Sequence, residues 1–593
     1  MRFDPIRAAP YHCGMFDLLI TNGTVVDGTG ADRRIADIAI TDGRIVAVGT
    51  DLGDAHEVID AEGLLVTPGF VDVHSHYDGQ ATWDELLEPS SLHGVTTLVM
   101  GNCGVGFAPV KPGTEEWLIQ LMEGVEDIPG TALSEGIDFT WESFPEYLDA
   151  LDERRWSVDV GAQVAHGAVR AYVMGERGAK NEPADPDDIE QMATIVRQAI
   201  EAGALGVSTS RTIAHTAMDG EPVPGTFAAE DELFAMGRAL RDGGGGVFEL
   251  APAGTAGLDL VAPMKEVEWM SRLSAETGQP VTFAMLQVPG APDLWKEQMQ
   301  ASLEAREDGA QLYPQVAGRP FGVLVGWQTC HPFMRKPSYQ AIAELPIDQR
   351  IVELRKPDVR AAILAEDDVE GSGLLIEGLG GLTAGMLDQV FVLGDPPDYE
   401  PTPDRSIVGL AERNGVTPNE AAYDAFCAED GRALLMLPLY NYVEHNHDVI
   451  REQLTHPTAV SGLADGGAHC GFICDASVPT TMISHWTRDR SRGEQLPLEW
   501  VVKKQTSDTA ALFGLGDRGT IEVGKRADLN LIDHDALQLE TPELVYDLPA
   551  GGRRLLQRAR GYRATIVAGE VTRRDGVDTG ARPGRLVRGR RRT

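Results

Sequence analysis

Residues 16 to 66 alternate apolar and polar positions in short runs, "DLLITNGTVVD", "DIAITDGRIVAVG" and "EGLLVTPGF", with an Asp-Gly turn at 42 and 43. A period of two broken by turn residues predicts strands and hairpins. The same texture returns at 519 to 575 in "GTIEVGKRADLNLID" and "YRATIVAGEVTRRDG", so the two ends are expected to close on each other as one small sheet domain. Between them the pattern changes. Strand-like runs at 71–76, 96–100, 158–164, 204–208, 247–251, 281–286, 311–316 and 460–465 have helical patterns between several of them. The clearest helix is "DDIEQMATIVRQAIEAG", with Ile189, Met192, Ile195, Val196, Ala199 and Ile200 at helical spacing and Gly203 as its stop. Eight strands with helices between them predict an α/β fold, a (β/α)8 TIM barrel whose functional residues gather at the strand C-terminal ends. The expected domains are a small β-sandwich from 15–67 with 517–590, and a barrel over 68–516. About 140 residues, roughly 317–459, separate the seventh and eighth strands. That exceeds an ordinary βα connection and predicts an insertion folded over the barrel mouth.

Composition narrows the function classes. With 42% hydrophobic and 24% charged residues, the chain is an ordinary globular protein and not a disordered one. A net charge of -40, from 91 acidic against 51 basic residues, repels phosphate backbones and anionic headgroups. No nucleic-acid or membrane partner is expected; a small-molecule substrate is, and self-association stays open. Six cysteines (Cys13, Cys103, Cys330, Cys427, Cys470, Cys474) form no disulfide-like framework, which suits a reducing cytoplasm. The opening "MRFDPIRAAPYHCG" lacks the apolar core of a signal peptide, and no apolar run reaches membrane-spanning length. The basic end, "RLVRGRRRT", reads as a frayed terminus.

Candidate chemistry begins at "VDVHSH", where His74 and His76 stand one residue apart at the end of a β-branched run. Residues i and i+2 of a strand share a side, so the two imidazoles converge as half of a metal site. "TPGFVDVHSHYDGQ" at 67–80, "GVTTLVMGNCGVGFAP" at 94–109, "HGAVRAYVMG" at 166–175 and "AIEAGALGVSTS" at 199–210 extend the picture. So do "TSDTAALFGLGDRGTIEVGKRADLNLID" at 506–533 and "TGARPGRLVRG" at 579–589. With these segments the chain resembles the amidohydrolase superfamily and, within it, the N-acyl-D-amino-acid deacylase (D-aminoacylase) family. The resemblance implies a divalent metal, usually zinc, that activates water to cleave an amide. It implies His74 and His76 as ligands, the Cys103 of GNCG as a further one, and Asp465 of "SGLADGGAH" as ligand and proton carrier. Two imidazoles, a thiolate and a carboxylate are a reasonable zinc set. His166 in "AHGAVR" is expected to support the site from outside or to pack structurally.

The chain departs from that family where two more histidines belong. The deacylases end their fifth strand in a segment like ATHMRNE and their sixth in one like SHHK, whereas this sequence has "VFELAPAG" (247–254) and "VTFAMLQ" (281–287). Ala251 and Met285 are the matching positions, and Gln287 replaces a lysine. The other barrel-region histidines (93, 166, 215, 331, 445, 447, 456, 469 and 485) fall on neither strand, and the fourth strand ends "GVSTSR" without a lysine to carbamylate. One metal is therefore expected, zinc first, with iron and manganese as alternatives, held by His74, His76 and Asp465 with Cys103. Glu249 is a candidate compensating carboxylate. His215 and His469 are candidates for a lost ligand or for substrate binding, joined in the latter by Arg211 and Gln287. The expected function is metal-dependent hydrolysis of a carbon–nitrogen bond in a small N-acylated amine, amino acid or lactam. The alternatives are an ester hydrolase or lyase using the same site, and a non-catalytic amidohydrolase-like scaffold.

Overall fold

The computed structural model describes residues 15–371 and 375–589. The segment 1–14 with Cys13, and the last basic residues 590–593, lie outside the described residues. Eight parallel strands stand side by side in chain order: β1 Phe70–Asp72, β2 Val95–Met100, β3 Asp159–Ala165, β4 Gly206–Ser210, β5 Val247–Ala251, β6 Val281–Ala284, β7 Leu312–Val316 and β8 Val460–Ser461. They fall on the eight predicted runs, and several end a few residues earlier. Beyond the ends of β1 and β8, Ser75 bridges Gly466 in parallel, and the His76 N–H donates to the Gly466 carbonyl at 2.7 Å. That contact brings the first and last strands together as a barrel. Nearly every strand residue is buried, as a parallel sheet covered on both faces requires, so its strands read as continuous apolar runs.

The helix expected after β3 spans Pro186–Ala202. Asp185 accepts from the N–H groups of Asp187 and Asp188, and Asp188 reaches back to complete a capping box. Met192, Val196, Ala199 and Ile200 are buried, and Gly203 ends the helix at φ 116°, where a side chain is disfavoured.

Both chain ends build a second, nine-stranded sheet. Its seam is the antiparallel pairing of Leu65–Pro68 with Leu529–Ile532, and Ile20, Ile38, Leu529 and Ile566 meet in its core. The Asp-Gly turn has both residues at positive φ (50° and 70°), and the Ala527 N–H closes on the Gly43 carbonyl at 2.9 Å. The final described strand, Leu586–Val587, leaves this sheet and pairs with β3.

The insertion after β7 has its own architecture. Three strands, Gly322–Val325, Leu435–Pro438 and Phe391–Val392, form an antiparallel sheet with the second in the middle. Helices pack on it around Trp327, Phe333, Tyr423 and Phe426. Among the described residues no helix is long and apolar enough to cross a membrane.

Candidate metal centre

Past Asp72 the side chains keep alternating. His74 and His76 line the barrel mouth, while the Ser75 hydroxyl donates to the Val99 carbonyl of β2 at 2.9 Å. The Ser75–Gly466 bridge sets Asp465 beside the pair. His74 Nε2 lies 3.3 Å from Asp465 Oδ1 and 3.4 Å from Cys103 Sγ; His76 Nε2 lies 3.9 Å from the same Asp465 oxygen. The opposite ring nitrogens face outward. His74 Nδ1 is 2.9 Å from Gln315 Oε1 on β7, an acceptor that fixes the proton on Nδ1 and leaves the Nε2 lone pair aimed inward. His76 Nδ1 stands 3.2 Å from Glu126 Oε1.

Cys103 is positioned by the turn of GNCG. Gly101, Cys103 and Gly104 all have positive φ, and a Cβ on Gly104 would come within 2.6 Å of the Ser210 nitrogen. The Cys103 N–H donates to Glu249 Oε2 at 2.9 Å. Leu463, Asp465 and His469 also adopt left-handed φ of 58°, 47° and 53°, with Cys103 at 54°. Non-glycine residues there cost roughly 1–3 kcal/mol each, and strain of this kind collects where a site must be shaped.

The electrostatics are one-sided. Burial, with the charges of Asp475 and Asp72, pushes Asp465 well above the usual carboxylate range. Burial, with Asp465, Asp78 and Glu249, does the same to Glu126. Glu249 is pushed up to about 8, and Asp72 and Asp78 each to about 7, chiefly by burial. Burial also raises the Cys103 thiol and holds His76 low and His74 at about 4, so both imidazoles are neutral. Asp465 Oδ1 is buried without a hydrogen-bond partner. The ligating atoms of His74, His76 and Cys103 lie within 4.8 Å of one another. Neutral imidazoles, a thiol and an unpartnered carboxylate oxygen, amid buried acids, fit a divalent cation of the zinc class both by donor type and by the positive charge they lack.

A cavity of about 440 Å3 opens above these atoms. Its walls are Met218, Leu286, Phe321, Leu379, Leu439 and Tyr440 among others, so the insertion supplies much of one side. Among the described residues lining it there is no lysine or arginine. His215 lines it with Nδ1 3.0 Å from Ser210 Oγ, and burial lowers its pKa to about 4. His469 lines it at about 3, its Nε2 3.8 Å from Glu126 Oε2.

Other sequence candidates fall elsewhere. Glu249 lies fully buried, its Oε1 3.8 Å from His74 Nδ1 and its Oε2 taken by the Cys103 N–H. Arg211 does not line the cavity: its Nε pairs with Glu266 at 3.2 Å and its Nη1 donates to the Ala228 carbonyl. Gln287 also lies outside, donating to Glu444 at 3.0 Å. Ala251 lines the cavity as expected, but Met285 packs into the barrel core, and Ala284 and Leu286 face the cavity on that strand instead. His166 pairs with Glu232 at 2.8 Å in a buried cluster with Arg170. Sequence reasoning missed Gln315 and Glu126. Glu126 had a signal, because it follows Met122 by four residues on the apolar face of helix Glu115–Glu126.

Comparison with known proteins places this arrangement. D-aminoacylase of Alcaligenes xylosoxydans xylosoxydans is 26% identical over 581 residues, covering 96% of this chain and 97% of that one. A D-aminoacylase structure described by a binuclear metal centre, with one-metal activation and second-metal attenuation, superposes with a TM-score of 0.61 at 23% identity, over 97% of this chain and all of the other. N-acyl-D-glutamate deacylase from Bordetella bronchiseptica, complexed with zinc and a phosphonate inhibitor, gives 0.62 at 22%, with the same coverage. The sequence pattern of the amidohydrolase family matches residues 57–573, and to that family the chain belongs.

Proposed function

We propose that the protein is a hydrolase dependent on a single divalent metal in this cavity, cleaving the carbon–nitrogen bond of a small uncharged amide such as an N-acylated amine or a lactam. Family membership supports metal-dependent amide hydrolysis in general. The observation that carries the finer reading is the pairing of convergent His74, His76, Cys103 and Asp465 atoms with a cavity that has no lysine or arginine among the described residues lining it. An N-acylated amino acid would bring a carboxylate, for which the described wall residues offer no lysine or arginine, and the lining histidines are neutral. The one-metal reading also accords with the one-metal activation reported for the D-aminoacylase structure. Ala251, Ala284 and Leu286 supply no ligand on β5 and β6.

His74, His76 and Asp465 would hold the ion with Cys103, and a bound zinc-class cation supplies polarisation of a carbonyl and a lowered pKa of water, from about 15.7 towards about 7. The chain's own contributions follow from the geometry. Asp465 Oδ1, free of other hydrogen bonds, accepts the proton of the attacking water and returns it to the departing nitrogen. Gln315 and Glu126 orient the imidazoles, and the insertion's apolar wall excludes bulk water and holds the substrate.

The test is a panel of N-acylated amines, lactams and N-acyl-D-amino acids assayed with zinc-loaded protein and after chelation. Chelator-sensitive turnover, with uncharged amides preferred over their carboxylated counterparts, is expected. Turnover that survives chelation and persists in a His76→Ala variant would remove the metal from the reading. A preference for the carboxylated substrates would remove the neutral-amide assignment.

A further inference from the structure

Apart from the barrel mouth, one other group among the described residues brings ligating atoms together: Glu400 and His447 in the insertion, and His485 after β8. Glu400 precedes the turn Pro403–Arg405, His447 caps helix Asp448–Thr455, and His485 follows helix Val478–Ser484. His447 Nδ1 is 3.1 Å from His485 Nε2, His485 Nε2 is 3.2 Å from Glu400 Oε2, and His447 Nδ1 is 3.8 Å from that same oxygen. A tetrahedral ion bonded at about 2.0–2.1 Å separates neighbouring ligands by about 3.4 Å, within the range of these three edges.

Each group is also turned the right way. His447 Nε2 lies 2.8 Å from the Tyr399 carbonyl, which accepts its proton and leaves Nδ1 as a lone pair facing the cluster. Glu400 Oε1 accepts from the His447 N–H at 2.7 Å and from Arg490 Nη2 at 3.2 Å. Oε2 takes a longer contact of 3.3 Å from Arg490 Nε and faces the imidazoles. Arg490 and the His447 N–H hydrogen-bond the Glu400 carboxyl and favour its charged form. Burial holds His447 at about 3, hence neutral and able to ligate. The His447 side chain is fully buried and that of His485 one-fifth exposed, so an ion has a route in and a solvent molecule can complete the shell.

We propose that Glu400, His447 and His485 form a second, structural site for a zinc-class divalent cation, pinning the insertion to the barrel helix that follows β8. Two imidazoles and a carboxylate suit that ion. The ligands come from segments joined only through the long insertion, so the ion acts as a clip on the element whose residues Phe321, Leu379, Leu439 and Tyr440 wall the cavity. The alternative is a hydrogen-bonded cluster in which His485 Nε2–H donates to His447 Nδ1.

His485→Asn separates the two, because an amide still donates a hydrogen bond but is a poor zinc ligand. Wild type and variant are saturated with zinc, freed of excess by gel filtration and analysed for metal per chain. The variant should hold one equivalent fewer and lose the zinc-dependent part of its thermal stabilisation at this site, with unchanged circular dichroism. Equal zinc content in the two proteins overturns the proposal. Should the variant misfold, anomalous maps of wild-type crystals grown with zinc decide: a peak between the three side chains supports the site, and a map without one there refutes it.

Discussion

Glu126→Gln separates what the buried carboxyl does for the fold from what it does for the ion. Glu126 Oε1 is 3.2 Å from His76 Nδ1, and both atoms are buried without a hydrogen-bond partner. Without a cation, burial and the neighbouring carboxylates raise Glu126 well above its ordinary range and favour its protonated form, of which glutamine is a close isostere. The metal-free variant should therefore unfold within about 1 kcal/mol of wild type, the scale of one altered hydrogen bond. A divalent ion on His76 reverses the preference: the added positive charge favours the carboxylate, which in turn makes the imidazole a better donor. Loss of such a supporting carboxylate costs about 10- to 100-fold in metal affinity, roughly 1.4–2.8 kcal/mol. The sign with pH follows. Binding by wild type displaces a proton from Glu126, so its affinity rises more steeply with pH than the variant's, by up to about one log unit per pH unit below the metal-free pKa. Competition with a chelator between about pH 6 and about pH 8 reads both effects. Equal affinities with equal slopes, or a metal-free variant that melts far below wild type, would refute the reasoning.

Asp465→Asn should keep the fold by circular dichroism and cut turnover by about 10²- to 10⁴-fold, the usual contribution of a general acid–base group; unimpaired turnover would take Asp465 out of the mechanism. In metal-free protein Asp72 and Asp78, each pushed up to about 7 by burial, contribute stability that is complete below about pH 4 and is lost as pH rises through about 7. Asp78→Asn should flatten that fall and stabilise the metal-free protein at about pH 8 by on the order of 2–4 kcal/mol, and identical urea midpoints for the two proteins at about pH 5 and about pH 8 would contradict this. Trp327→Ala removes a buried ring stacked on Tyr339 and packed against Phe333; it should cost about 3–5 kcal/mol and expose the insertion to limited proteolysis before the barrel, an order of cleavage that mass spectrometry would verify or reverse.

Much of the architecture was legible because its signals are local. The eight strands follow from short β-branched runs, and the Pro186–Ala202 helix shows its cap, its stripe and its stop within one window. His74 and His76 were legible for the same reason, being two residues apart on one strand. Met285, taken as the matching position on β6, packs into the barrel core, and Ala284 and Leu286 line the cavity beside it. The roles of Gln315 and Glu126 depend on contacts across 241 residues in one case and from a separate helix in the other, which no periodicity reveals. The insertion was visible only as excess length, since its sheet pairs strands more than a hundred residues apart.

On the proposed reading, the buried acids explain why the site could do without ligands on β5 and β6 while keeping the rest. Asp72, Asp78, Glu126, Glu249 and Asp465 are buried around the two neutral imidazoles, and among the described residues no lysine or arginine lines the cavity above them. Keeping even one such carboxylate ionised without a partner costs several kcal/mol. Histidines missing from β5 and β6 would have been neutral ligands, so their absence leaves this imbalance of charge untouched; removing the cation itself would not. The barrel mouth accordingly divides into two regions with separate duties. On the proposed reading, β1, β2, the Glu126 helix and the loop after β8 form the part that a metal ion must complete. Ala251, Ala284, Leu286 and the insertion form an apolar wall free to change with the substrate. Substitutions in the wall should then move substrate preference with little effect on metal affinity, whereas Glu126 and Gln315 act through the imidazoles they orient.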